Sequence, residues 1–174
     1  MRISEYSLAF LAVLQCVTST FAEEVGFGRP ATSVEIAAID ISIPPSGEGL
    51  PPGSGNALTG EGIYLQKCAA CHAQGGKGKP ADKLVGGIGT LGSATPVKSV
   101  GSYWPYATTL FDYIRRAMPL NAPMSLTNDE TYSLTAYVLS INGIVANDQT
   151  IDEKTLAKAR MPNRNGFVDR SGVR

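Results

Sequence analysis

Cys68-Ala69-Ala70-Cys71-His72 sets two thiols and an imidazole within five residues, and His72 is the single histidine of the 174-residue chain. On a helical turn, two intervening residues bring both sulfurs to the same side, at the spacing of the two vinyl groups of a haem. Each thiol can add across one vinyl to give a thioether. The residue directly after the second cysteine then lies beneath the iron, where an imidazole supplies the proximal nitrogen ligand. The stretch points to one covalently attached haem c, with Cys68 and Cys71 as the thioether residues and His72 as an iron ligand.

Other uses of a CxxC pair remain open on the residues alone. A structural zinc half-site needs about four nitrogen, sulfur or carboxylate ligands, and the mature chain offers no further Cys or His to complete it. A redox dithiol wants a strand running into a helix and has no use for the adjoining histidine. An ordinary disulfide between Cys68 and Cys71 is the third option.

The start of the chain reads as a targeting segment. Arg2 gives a weak positive region, the stretch from Tyr6 to Val17 is apolar but too short to span a bilayer, and Thr20-Phe21-Ala22 offers small residues for cleavage. We expect residues 1–22 to be a signal peptide, removed before Glu23, and the mature protein to be periplasmic. Cys16 leaves with that segment, and lipid attachment there is disfavoured by the bulky Gln15 before it. No other long apolar run follows, so no membrane span is expected in the mature form. Fifteen basic and fifteen acidic residues cancel with no block of like charge, which gives no reason to expect a nucleic-acid partner.

Helical periodicity dominates the rest, and alternating strand patterns are scarce. Residues 23–58 read as an N-terminal extension: Thr32 and Glu35 form a capping-box pattern, and a loop rich in Pro and Gly follows from Pro44. A haem domain is expected over 59–145. Its first helix runs from about Thr59 to His72 and ends at Gly75, Gly76 and Gly78. Residues 79–104 are mostly loop, where Gly86, Gly87, Gly89 and Gly92 allow the backbone to approach something flat and bulky. A second helix spans about Tyr106 to Arg116, with Leu110, Phe111 and Ile114 on one face, and Pro119 stops it. Thr127 and Glu130 cap a third, in which Leu134, Tyr137, Val138 and Ile141 repeat at helical spacing before Gly143. Residues 146–174 form a tail packing on the domain or on a partner, with one more short helix over 152–160. The fold class is all-α with long loops.

The soft donor left for the sixth iron position is methionine, since no second histidine or mature free cysteine remains. Met118 sits at a helix end before Pro119 and can lean over a haem face. Met124 is the alternative, crowded by the next helix, and Met161 reads as a packing residue. With both axial positions filled, substrate has no open site on iron, and no catalytic site of the chain's own is expected. Leu84, Trp104, Tyr106, Phe111 and Ile114 are the pocket lining we would choose, with Tyr64, Leu110, Tyr137 and Leu139 as further candidates. Trp104 N–H could meet a propionate; Arg115 and Arg116 could pair with a propionate or a partner carboxylate, or simply be solvated.

Several further stretches carry a family resemblance: Phe27-Gly28-Arg29-Pro30-Ala31-Thr32 with Ile36-Ala37-Ala38, Gly49-Leu50-Pro51-Pro52-Gly53-Ser54-Gly55, Gly101-Ser102-Tyr103-Trp104-Pro105-Tyr106-Ala107-Thr108-Thr109, Tyr113-Ile114-Arg115-Arg116-Ala117-Met118-Pro119, and Arg160-Met161-Pro162-Asn163-Arg164-Asn165-Gly166-Phe167. On these the chain resembles the cytochrome subunits of molybdenum sulfite dehydrogenases (SorB type) and the haem domain of the sulfane dehydrogenase subunit SoxD. The resemblance implies a class I cytochrome c fold. It also implies electrons taken from a molybdopterin subunit that oxidises sulfite or a related sulfur species, and passed to another cytochrome. The iron ligand of the Ala-Met-Pro segment corresponds to Met118. Full SoxD proteins carry a second haem domain, whereas this chain has one CxxCH. That favours the SorB-like reading or a SoxD homologue reduced to one domain. The competing functions are a free shuttle cytochrome and a haem enzyme or gas sensor with a labile sixth site.

Overall fold

The computed structural model describes residues 27–168. The expected signal peptide, with Cys16, lies outside them. The chain divides into two units, Met1–Ile39 and Asp40–Arg174. In the first, α1 (Ser33–Ile39) buries no residue. Its start is fixed locally, as the capping pattern implied: the Thr32 N–H donates to Glu35 Oε2 at 2.8 Å, the Glu35 N–H returns to Thr32 Oγ1 at 3.3 Å, and Arg29 holds both Glu35 oxygens at 2.9 and 2.6 Å.

The second unit begins earlier than Thr59. Residues from Asp40 onward, grouped with the extension on their Pro and Gly content, pack as part of it. Each proline removes an N–H donor from this loop, and several of its carbonyls accept from helix side chains instead. Thr108 Oγ1 donates to Pro45 O at 3.3 Å, Tyr132 Oη to Pro51 O at 2.9 Å and Asn128 Nδ2 to Pro52 O at 3.0 Å. Ile43 is buried, and its N–H donates to the buried carboxylate of Asp112 at 3.0 Å.

Asn56 caps α2 (Ala57–Lys67), its side chain accepting from the Thr59 N–H, so the helix starts two residues before Thr59. The helix breaks at Cys68 and resumes as α3 (Ala69–His72), followed by a 3-10 turn at Gln74–Gly76. A short helix inside the expected 79–104 loop, α4 (Val100–Tyr103), is created by a capping box between Ser99 and Ser102. Then come α5 (Ala107–Ala117) and α6 (Asn128–Ser140). The Thr127–Glu130 capping box forms as its sequence implies.

Helix α6 is the centre of the unit. Every residue from Thr131 to Leu139 is buried, so it is covered all round rather than on one stripe. The hydroxyls of Thr131 and Thr135 survive this burial by donating back to Thr127 O (2.8 Å) and Thr131 O (2.7 Å). Helix α2 crosses α6 at Gly60, where a Cβ would stand 2.0 Å from the Ser133 carbonyl oxygen, so only glycine allows this approach. Beside the crossing Tyr64 lies against Tyr137, ring centroids 4.8 Å apart, and further along Phe111 of α5 meets Tyr132 at 4.5 Å.

The tail closes the core. Ile151, Leu156 and Met161 are buried, and β2 (Ile151–Asp152) pairs antiparallel with β1 (Ser54–Gly55), joining two loops distant in sequence. The short helix expected over 152–160 is only a 3-10 turn at Leu156–Lys158. Asp152 turns the chain first, its carboxylate accepting from the N–H groups of Lys154 (3.0 Å) and Thr155 (2.9 Å). Among the described residues no helix is long and apolar enough to cross a membrane.

Candidate haem site

The CxxCH turn is built by one carbonyl. Cys68 O accepts from the N–H groups of Cys71 (3.1 Å) and His72 (3.0 Å), which curls the five residues into a single turn after the break in the helix. Cys68 is half-buried, Cys71 exposed, and both thiols are free. Burial pushes the Cys68 thiol up to about 11. It stays protonated at neutral pH, the reverse of the lowered thiol of a CxxC oxidoreductase. Among the described residues no group of three or more His, Cys, Asp or Glu could hold a metal ion, so a zinc half-site has no second half.

His72 is oriented by something absent from any motif. Its Nδ1 lies 3.0 Å from the Asp82 carbonyl oxygen. A carbonyl only accepts, so Nδ1 carries the proton and Nε2 keeps its lone pair for a metal. The loop that brings Asp82 here is laced to the turn: Gly78 N–H donates to His72 O, Ala81 N–H to Cys71 O and Leu84 N–H to Gly76 O, each at 2.9 Å. Tyr64 reaches across from α2 and donates to Ala73 O at 2.7 Å; burial raises its phenol to about 12, so it remains a donor.

The methionines separate clearly. Met161 is buried in the core, while Met124 stands 59% exposed. Met118 is half-buried just past α5, its N–H bonded to Ile114 O at 3.1 Å. Of the chosen lining, Leu84 and Trp104 are half-buried at the margin of the core. Trp104 meets Tyr113 edge-on at 5.6 Å, and half-buried Tyr106 lies 5.1 Å under the Arg164 guanidinium. Phe111 and Ile114 sit inside the core, Phe111 fully enclosed against Tyr132. Arg116 is not free for a propionate: it pairs with Asp112 on the same helix, Nε at 2.9 Å from Oδ1. Asp82, Ser99 and Asn142 were not legible as site residues, because they act through backbone groups far along the chain.

Two comparisons bear on this arrangement. Residues 55–138 match the family model for cytochrome c oxidase, cbb3-type, subunit III. A chain of the crystal structure of the sulfane dehydrogenase SoxCD from Paracoccus pantotrophus is similar at 39% identity and a TM-score of 0.78, covering 85% of this chain and 73% of that one. The chain is a cytochrome c of the SoxD and SorB group. No curated protein matches it.

As a cytochrome of this group it adopts the class I cytochrome c fold and carries covalently bound haem c. The donor set fits that group: two unpaired thiols on one turn, and an imidazole whose outer nitrogen is already engaged by a carbonyl. Haem c supplies a one-electron iron couple, and the chain is an electron carrier.

Proposed function

We propose that this cytochrome is the haem subunit of a molybdenum-dependent sulfite or sulfane dehydrogenase, taking electrons from the catalytic subunit and passing them to another cytochrome. Cys68 and Cys71 form the thioethers, His72 Nε2 is the proximal ligand, and Met118 is the distal one. Met118 is favoured because Met161 is enclosed by the core and Met124 faces solvent. The Asp82 carbonyl holds the imidazole in one tautomer and one plane. Half-buried Leu84 and Trp104 keep water from the prosthetic group, and the apolar surroundings together with the thioether favour the reduced state. The protein works in the periplasm after removal of residues 1–22.

The carrying observation is the similarity to a chain of SoxCD over 85% of this sequence. Affinity purification from the native host should bring down a molybdenum-containing subunit, and adding sulfite or a sulfane donor to that complex should reduce the haem. A strictly monomeric isolate, or a complex in which no sulfur donor reduces the haem, would overturn the proposal.

A further inference from the structure

The search for residues outside the motif that govern it leads to Asn142, two positions past the end of α6 and buried at 9% exposure. Its carboxamide makes three bonds. Nδ2 donates to Val138 O at 2.8 Å, on its own helix, and to Leu84 O at 2.9 Å, in the loop beyond His72; Oδ1 accepts from Gly86 N–H at 3.3 Å. The backbone of α4 covers this amide closely, since a Cβ on Gly101 would lie 2.1 Å from Oδ1. Ser99 takes the other side of the same loop, donating to Gly86 O at 2.5 Å.

The consequence is a clamp. Leu84 is bonded at both peptide groups, its N–H to Gly76 and its carbonyl to Asn142, and so is Gly86, its N–H to Asn142 and its carbonyl to Ser99. On the upstream side Ala81 N–H is tied to Cys71 O. Only Asp82 and Lys83 lie between these anchors, and Asp82 O receives the His72 Nδ1–H bond. A carboxamide is the short side chain that can donate to a helix-end carbonyl and a loop carbonyl while accepting a loop N–H.

We propose that Asn142 is a positioning residue for the His72 imidazole, fixing through Leu84 and Gly86 the Asp82 carbonyl that sets the ring's plane and basicity. This rests on His72 being the proximal ligand. A carbonyl accepting from Nδ1–H makes the imidazole a stronger donor to iron, which favours the oxidised state, so loosening the clamp raises the potential.

The test uses the holoprotein. Asn142→Ala should shift the equilibrium constant for haem reduction about three- to tenfold towards the reduced form, at most about 59 mV for a one-electron couple. It should also change the g-anisotropy of the oxidised haem in low-temperature electron paramagnetic resonance, because the ring turns. Asn142→Leu, which keeps about the same volume without charge but loses the donors and the acceptor, should move both readouts in the same direction, and serves alone where the alanine protein does not accumulate. His72→Ala separates the two levels. If it leaves the low-spin spectrum intact, the ligand assignment fails. If it abolishes that spectrum while the Asn142 variants lower the melting temperature at wild-type potential and g values, Asn142 is only a helix cap and the positioning role is wrong.

Discussion

The two sides of the proposed haem site are built on different plans. The proximal side, from Cys68 to Gly86, is held at nearly every turn: by the Cys68 carbonyl, by three loop-to-turn backbone bonds at 2.9 Å, and by Asn142 and Ser99 from elsewhere in the chain. The distal side hangs from a helix end. Met118 N–H bonds back to Ile114, a turn follows through Ala122 N–H to Pro119 O at 2.9 Å, and Leu120 and Met124 stand in solvent at 79% and 59% exposure. The difference teaches that the two ligands should respond unequally to perturbation. The histidine is held by a network anchored at several points along the chain, whereas the methionine depends on where one helix stops.

The largest effect is therefore expected on the distal side. Met118→Ala should abolish the methionine–iron signature outright, lower the reduction potential and admit carbon monoxide rapidly to the reduced protein at neutral pH. Met124→Ala should leave spectrum, potential and gas binding as they are. Optical titration with carbon monoxide checks both, and the opposite pattern would transfer the sixth ligand to Met124.

The asymmetry also explains what could be read from the chain. The CxxCH motif was legible from five consecutive residues because its chemistry is contained in them, although the break in the helix at Cys68 was not. The helix starts at Thr32 and Thr127 were legible for the same reason, as capping boxes are local. The clamp on His72 was not. Its acceptor is a backbone carbonyl, which any residue at position 82 would supply, and its anchors lie 56 and 58 residues from the loop groups they bind. Pro44 to Gly55 read as a loop of the N-terminal extension because its composition forbids helix. Composition is silent on whether Ile43 is buried or Ser54 finds Asp152 as a strand partner. Met118 was chosen from its place at a helix end before Pro119 and from the resemblance carried by its Ala-Met-Pro segment, because a lone methionine carries no ligand motif of its own.

A middle-sized effect should come from the crossing that supports the proximal side. Gly60→Ala pushes a Cβ to 2.0 Å from Ser133 O and 2.9 Å from Tyr137 Cβ, so α2 must move away from α6. Overpacking of this kind costs about 1–3 kcal/mol, against a gain of about 1 kcal/mol in helix propensity over glycine. A net loss of up to roughly 2 kcal/mol is expected in denaturant unfolding of the holoprotein. Gly62→Ala, in the same helix with nothing within 4 Å, should instead stabilise by up to about 1 kcal/mol. Equal effects at the two positions would mean that the close approach of α2 to α6 does not support the proximal side.

The smallest effect belongs to Lys67 and Glu130, which join the last residue of α2, next to Cys68, to the first turn of α6 at 2.6 Å. Glu130 is held below the usual 4.5 chiefly by the Lys67 ammonium and next by the Thr127 N–H. A carboxyl whose folded pKa is depressed binds fewer protons in the native state than in the unfolded chain around its titration range. Its contribution is therefore complete above the ordinary carboxylate range and disappears as pH falls through the depressed value. Both side chains are about a third exposed, 34% and 27%, so water screens the pair and its worth is under about 1 kcal/mol. Glu130→Gln keeps the reciprocal cap, because glutamine also serves at that position, and removes only the charge. The wild-type minus Glu130→Gln difference in unfolding free energy should be flat and small at neutral pH and shrink towards zero on acidification. A difference that grows with acid would mean that the depressed carboxyl is not stabilised by Lys67, and that the proximal side draws nothing from this pair.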